Sequence, residues 1–154
     1  MNKRWLRVGL LALGLFAVNV IARVVTEVGD VTEESTLDLI AYTGLGVVAV
    51  GQIVAGAWWA VRYPFVRLCF DLGAVALAFA FLSIFLGPLF VGNSPFANGP
   101  EFIVGQFLLL FGVALGAALL GFATMVALAK DWKSQGLRQY EKSYYRRPNR
   151  AVRG

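Results

Sequence analysis

A run of 28 residues without a charged side chain, Phe102 to Ala129, limits what this chain can fold into. An uninterrupted apolar stretch of about 20 residues is enough for a helix to cross a hydrocarbon core about 30 Å thick. A longer one tilts. Three further apolar runs precede it, and together they predict an all-α, integral membrane four-helix bundle. The expected spans are about 5–25, 37–61, 68–90 and 101–129, followed by a basic tail from 130 to 154. Composition agrees: 58% of the residues are hydrophobic and only 15% are charged, where a water-soluble domain would hold about a quarter. Abundant Ala, Val, Gly, Leu and Arg point to a high-GC bacterium and its plasma membrane.

The distribution of charge predicts orientation. Lys3, Arg4 and Arg7 open the chain, Arg62 and Arg67 flank the middle turn, and eight of the 14 basic residues lie from Lys130 onward. Acids gather elsewhere: Glu27, Asp30, Glu33, Glu34 and Asp38 sit in or beside the first loop, and Glu101 opens the last helix. Basic segments stay in the cytosol, so both termini and the 62–67 turn are expected there. Trp5, Trp58, Trp59 and Trp132 then fall at one surface as an aromatic belt. A rival reading makes residues 3–22 a secretory signal, with Lys3 to Arg7 as its basic region and a mediocre cleavage site at Val20-Ile21-Ala22.

Local signals mark the helix ends. Ser35 followed by Asp38 resembles a capping box that starts the second helix, Pro64 stops it, and Gly87-Pro88 ends or bends the third. Asn98 or Gly99 is expected to cap the fourth, with Pro100 in its first turn. Arg7 and Arg23, near the two ends of the first helix, are expected to snorkel toward the headgroups.

Lipid tails do not drive helices together, so packing relies on small residues that let backbones approach. The fourth helix carries Gly105, Gly112, Gly116 and Ala123 on one face and Ala114, Ala117, Ala118 and Gly121 on another. The second carries Gly44, Gly51 and Ala55 on one side and Ala49, Gly56 and Ala60 on another. Each helix is expected to be contacted on two sides, inside the bundle or at a dimer seam.

Polar residues within the spans are the pointers to function. At 1.5 Å per residue, Asn19, Thr43, Ser83 and Gln106 all fall about 6 to 10 Å from the acidic end, one from each helix. They form an expected layer of interhelical hydrogen bonds or an outward-facing polar pocket. Gln52 lies deeper. Asp71 lies near the basic end, where Arg67 or Arg62 is expected to neutralise it. In the tail, Lys130, Lys133, Arg138, Lys142, Arg146 and Arg147, interleaved with tyrosines, suit anionic lipid headgroups at about 1 kcal/mol each.

The chain has no histidine and one cysteine, Cys69. This removes imidazole catalysis, the usual metal sites, a zinc cluster and an internal disulfide. No cofactor, metal or nucleic-acid partner is expected. The residues favour a non-catalytic accessory, assembly or scaffold subunit of a membrane complex, with a protein partner or a second copy as neighbour. The alternative is an oligomeric channel or transporter whose path is lined by the polar residues above.

Overall fold

The computed structural model describes residues 3–29, 33–96 and 99–145. Those residues form helices and turns with no strand. Helix α1 spans Lys3–Val28, α2 Glu34–Arg62, α3 Phe65–Phe85, α4 Gly99–Ala127 and α5 Trp132–Tyr145, with a short 3-10 turn at Pro88–Val91. The first four are long and apolar enough to cross a membrane.

Pro64 sets the α2–α3 corner. Its extended backbone leaves the carbonyl free to accept from Leu68 N–H, and α3 begins at once with Phe65. Helix α3 therefore starts three residues earlier than the expected 68 and ends before Gly87-Pro88. Helix α2 also starts early. Glu33 occupies the N-cap position and Ser35 lies within the first turn, because the Glu33 carbonyl accepts from Thr36 and Leu37 at 3.0 and 3.1 Å. The Ser35 capping box is thus not used. Asp30 and Asn98 lie outside the described residues.

The helices are arranged as two parallel pairs. Helices α1 and α3 run together: Arg4 meets Asp71 near their starts, and Phe16 meets Phe90 beyond the end of α3 with ring centroids 6.0 Å apart. Helices α2 and α4 form the closest pair. Helix α2 also touches α1 in antiparallel fashion, with Gly44 beside Ala22 and Gly51 beside Leu15. The ring around the core therefore reads α1, α2, α4, α3. One end, called here the basic end, carries the start of α1, the Pro64 corner and the end of α4. The other, the acidic end, carries the end of α1, the start of α2, the end of α3 and the start of α4.

Two glycines explain the α2–α4 pairing. A Cβ at Gly56 would run into the Ala118 carbonyl, and a Cβ at Gly121 would run into that of Ile53 and stand 3.0 Å from Ala57 N. Each helix thus lends a glycine to the other's backbone, an approach that only hydrogen in place of a side chain permits. Around this contact Ala55, Trp59, Ala60, Leu68, Leu72 and Ala118 form one core cluster. A larger cluster built on Phe79, Val75, Leu15, Phe16 and Leu110 fills the rest. Outward faces are apolar: Leu10, Phe70 and Leu108 are 63%, 72% and 63% exposed while Gln52 is wholly buried.

Helix α4 ends in a Schellman arrangement. Lys130 N–H reaches Met125 O at 3.0 Å and Ala129 N–H reaches Val126 O at 2.9 Å, with Ala129 at φ 50°. The chain then turns into α5, a helix not foreseen for the basic tail. Asp131 begins it by accepting from Lys133 N–H at 3.2 Å and from the Ser134 hydroxyl. The Ser134 hydroxyl, with further help from backbone N–H groups, holds the Asp131 carboxyl below the ordinary aspartate value.

Two outcomes follow from this architecture. Gly121→Leu is expected to destabilise the protein by at least the roughly 1–3 kcal/mol of ordinary overpacking, because the atoms it meets are backbone. Gly112→Leu, at a glycine with nothing within 4 Å, leaves the unfolding temperature in detergent unchanged. The lowered Asp131 pKa means its cap favours the helix above the unfolded aspartate range and is lost as pH falls through the folded value. Amide exchange in the first turn of α5 should therefore accelerate in acid, and Asp131→Ala should abolish that pH dependence.

Candidate functional site

The basic end is organised around Asp71, which is 1% exposed. A carboxylate buried at this depth requires compensation, and three side chains supply it. Arg4 donates Nε and Nη2 to Oδ1 at 2.8 and 2.5 Å. Trp59 Nε1 donates to Oδ2 at 3.4 Å. Arg67, one turn before Asp71 on α3, brings Nε to 3.8 Å. Arg62 is not a partner. Its guanidinium lies 4.1 Å over the Trp58 ring, and Arg7 bonds the Tyr63 hydroxyl at 3.2 Å. Trp59 likewise leaves the expected surface belt, because its indole N–H points inward to Asp71. Trp5, Trp58 and Trp132 remain at the surface.

The acidic end is organised around a cavity of about 520 Å³. Helices α2 and α4 touch at Gly56 and Gly121, in the half of each helix nearer the basic end, and leave a gap in the other half. Three helix faces line it, and it opens to the outside. Asn19, Ala22, Arg23 and Thr26 come from α1, the Leu37–Val48 face from α2, and Phe102, Gly105, Gln106, Leu109 and Leu110 from α4. Arg23 does not snorkel outward. It folds back along its own helix and donates Nε to Asn19 Oδ1 at 3.1 Å. A Cβ on Gly87 would stand 3.2 Å from Arg23 Nε, so glycine at this corner leaves the arginine room beside the carbonyl end of α3.

The expected polar layer is therefore divided. Asn19 and Gln106 share the cavity. Thr43 is exposed and returns its hydroxyl to Leu39 O of its own helix at 2.7 Å. Ser83 is wholly buried, and among the described residues its hydroxyl has no partner. Gln52 is wholly buried too, and both amide atoms lack partners among the described residues. It lies one turn along α2 from Val48 and is not part of the cavity wall.

No known family model, characterised protein or solved structure matches this chain. The chemistry must come from these side chains. Among the described residues no group of three or more Asp, Glu or Cys side chains converges to hold a metal ion. The two charged clusters do different things. At the basic end the negative charge is matched within the chain. At the acidic end Arg23 is half-buried, and among the described residues no carboxylate lies within ion-pair distance of it.

The small-residue faces also part company. Ala114, Ala117, Ala118 and Gly121 of α4 are buried against neighbours. Gly105, Gly112 and Gly116 are exposed with nothing within 4 Å, so they form no seam inside this chain. On the tail, Lys130, Lys133, Arg138 and Lys142 are exposed, as are Trp132, Leu137 and Tyr140 of α5. Arg146 and Arg147 lie outside the described residues. Sequence reasoning missed Arg4 as the main partner of Asp71 and Arg23 as a cavity residue. Four-residue spacing to Asn19 was the available signal for the second.

Arg4→Ala is expected to cost about 2 kcal/mol, at or below the lower end of the roughly 3–5 kcal/mol for breaking a buried pair, because Arg67 still faces the carboxylate. The double change Arg4→Leu with Asp71→Leu should recover most of that loss in detergent unfolding, since no charge is then buried alone.

Proposed function

We propose that the chain is a four-span membrane protein with both termini in the cytosol. It serves as a non-catalytic accessory, assembly or scaffold subunit by docking α4 against a helix of another membrane protein. The observation that carries this reading is the outward face of α4. Gly112 and Gly116 give up side-chain contacts and gain no close packing within the bundle. Bare backbone along an apolar face suits a second helix better than lipid, because close approach recovers dispersion and Cα–H···O contacts. The inside-out exposure pattern supports the membrane setting, since water would not tolerate so continuous an apolar surface. Basic residues at the end holding both described chain ends support the orientation. Helix α5, with Leu137 and Tyr140 on one side and Arg138 and Lys142 on the other, suits an anionic leaflet surface.

The oligomeric channel draws less support. Its one intramembrane acid, Asp71, is already matched by Arg4, Arg67 and Trp59, and Gln52 and Ser83 are enclosed within a single bundle. A photo-reactive residue in place of Leu119, beside Gly112 and Gly116 on the helix wheel, tests the choice. In native membranes it should yield one heteromeric adduct, lost in a Gly112→Ile, Gly116→Ile background that leaves thermal stability unchanged. Adducts only with lipid overturn the docking reading, and adducts only with a second copy of the chain favour the channel.

A further inference from the structure

We infer that the acidic-end cavity binds a single-chain amphiphile with a carboxylate head, of the fatty-acid class. This goes beyond the docking of α4 and is tested on the isolated chain. The volume of about 520 Å³ lies within the roughly 300–1,000 Å³ range of small-molecule sites. Its lining has the composition that such sites share: mostly apolar walls with a few convergent polar groups. The polar groups stand at one level. Arg23 supplies a guanidinium whose Nε is held by Asn19 Oδ1, and Gln106 supplies an amide from the facing helix. Arg23 is the only charged side chain among the lining residues. Below that level the cavity is lined by Leu45, Val48, Leu109 and Leu110, with no charge.

Charge complementarity selects the head. A half-buried guanidinium favours an oxyanion that can take two N–H donors, and Asn19 fixes the side chain in place. The carbonyl end of α3 near Gly87 offers only partial negative charge, and among the described residues no carboxylate pairs with Arg23, so the cavity suits an anion from outside. Glu27, Glu33, Glu34, Asp38 and Glu101 are exposed at this end and oppose an anion. They stand in water, where screening acts over about 8–10 Å, whereas Arg23 acts from within an apolar wall. The size favours one chain over two, and the apolar closed end rejects a fully polar anion.

The test titrates tritiated palmitate against the whole chain in phosphatidylcholine nanodiscs. Saturable binding at one site per chain is expected, weakened about tenfold or more by Arg23→Gln, in line with the loss of a charged hydrogen bond. Hexadecanol, with the same chain and no charge, should compete poorly, and acetate not at all. Gly105 faces open space in the cavity wall, so Gly105→Leu should block binding without unfolding the protein, and it serves where Arg23→Gln does not fold. Palmitate binding unaffected by Gly105→Leu or by a folded Arg23→Gln overturns the assignment. So does equal competition by hexadecanol, which would mark a greasy crevice, or by acetate, which would mark a small-carboxylate site. Loss of α4 cross-linking in native membranes leaves these results untouched.

Discussion

Backbone contact between α2 and α4 sets the shape of this molecule. Gly56 lies against the Ala118 carbonyl and Gly121 against that of Ile53. Two rigid helices held this close at one level diverge away from it unless another small-residue contact closes them again. The second contact is absent: at the acidic half α2 leans on α1 through Gly44 and Ala22, while Gly105 of α4 meets nothing. The cavity is therefore a consequence of where the glycines lie. Its walls need no special residues, only the ordinary inward faces of α2 and α4 where they have parted, with α1 leaning on α2 beside them.

The second constraint is electrostatic. Charges buried away from water are tolerated when matched, and the chain treats its two inner charges differently. Asp71 recruits Arg4 from 67 positions away and Trp59 from a second helix, so α1, α2 and α3 are tied at one point. That tie holds the start of α1 against the bundle beside Val8 and Ala12, both buried. Arg23 has a neutral amide and the end of α3 beside it. The same residue type thus closes the structure at one end and, among the described residues, has no carboxylate partner at the other.

Much of the fold was legible in the sequence because helix formation in an apolar run depends on local composition. The four long helices follow from hydropathy, and Pro64 and Gly87-Pro88 punctuate them as expected. Pairings were less legible for physical reasons. Helix α4 has two small faces of nearly equal composition, and only the presence of Gly56 at the right height on α2 decides that the Ala118–Gly121 face is buried. Nearness in sequence favoured Arg67 for Asp71, yet its Nε stops at 3.8 Å while Arg4 reaches 2.5 Å from another helix. In the tail, net charge drew attention away from Asp131 and Ser134, whose mutual bond starts α5.

Gln52 joins these strands. An amide wholly buried without partners costs free energy that an apolar residue of similar volume would not. It lies one helical turn from Val48, which is both a core residue and a wall of the cavity. Gln52 itself lies behind that wall, between the cavity and the Gly56 contact, and does not line it. A tightly packed leucine there would stabilise the bundle. The chain instead keeps polarity at a level where helix packing has no use for it. Asp71 is the contrast: both oxygens of its side chain are engaged, by Arg4 and by Trp59.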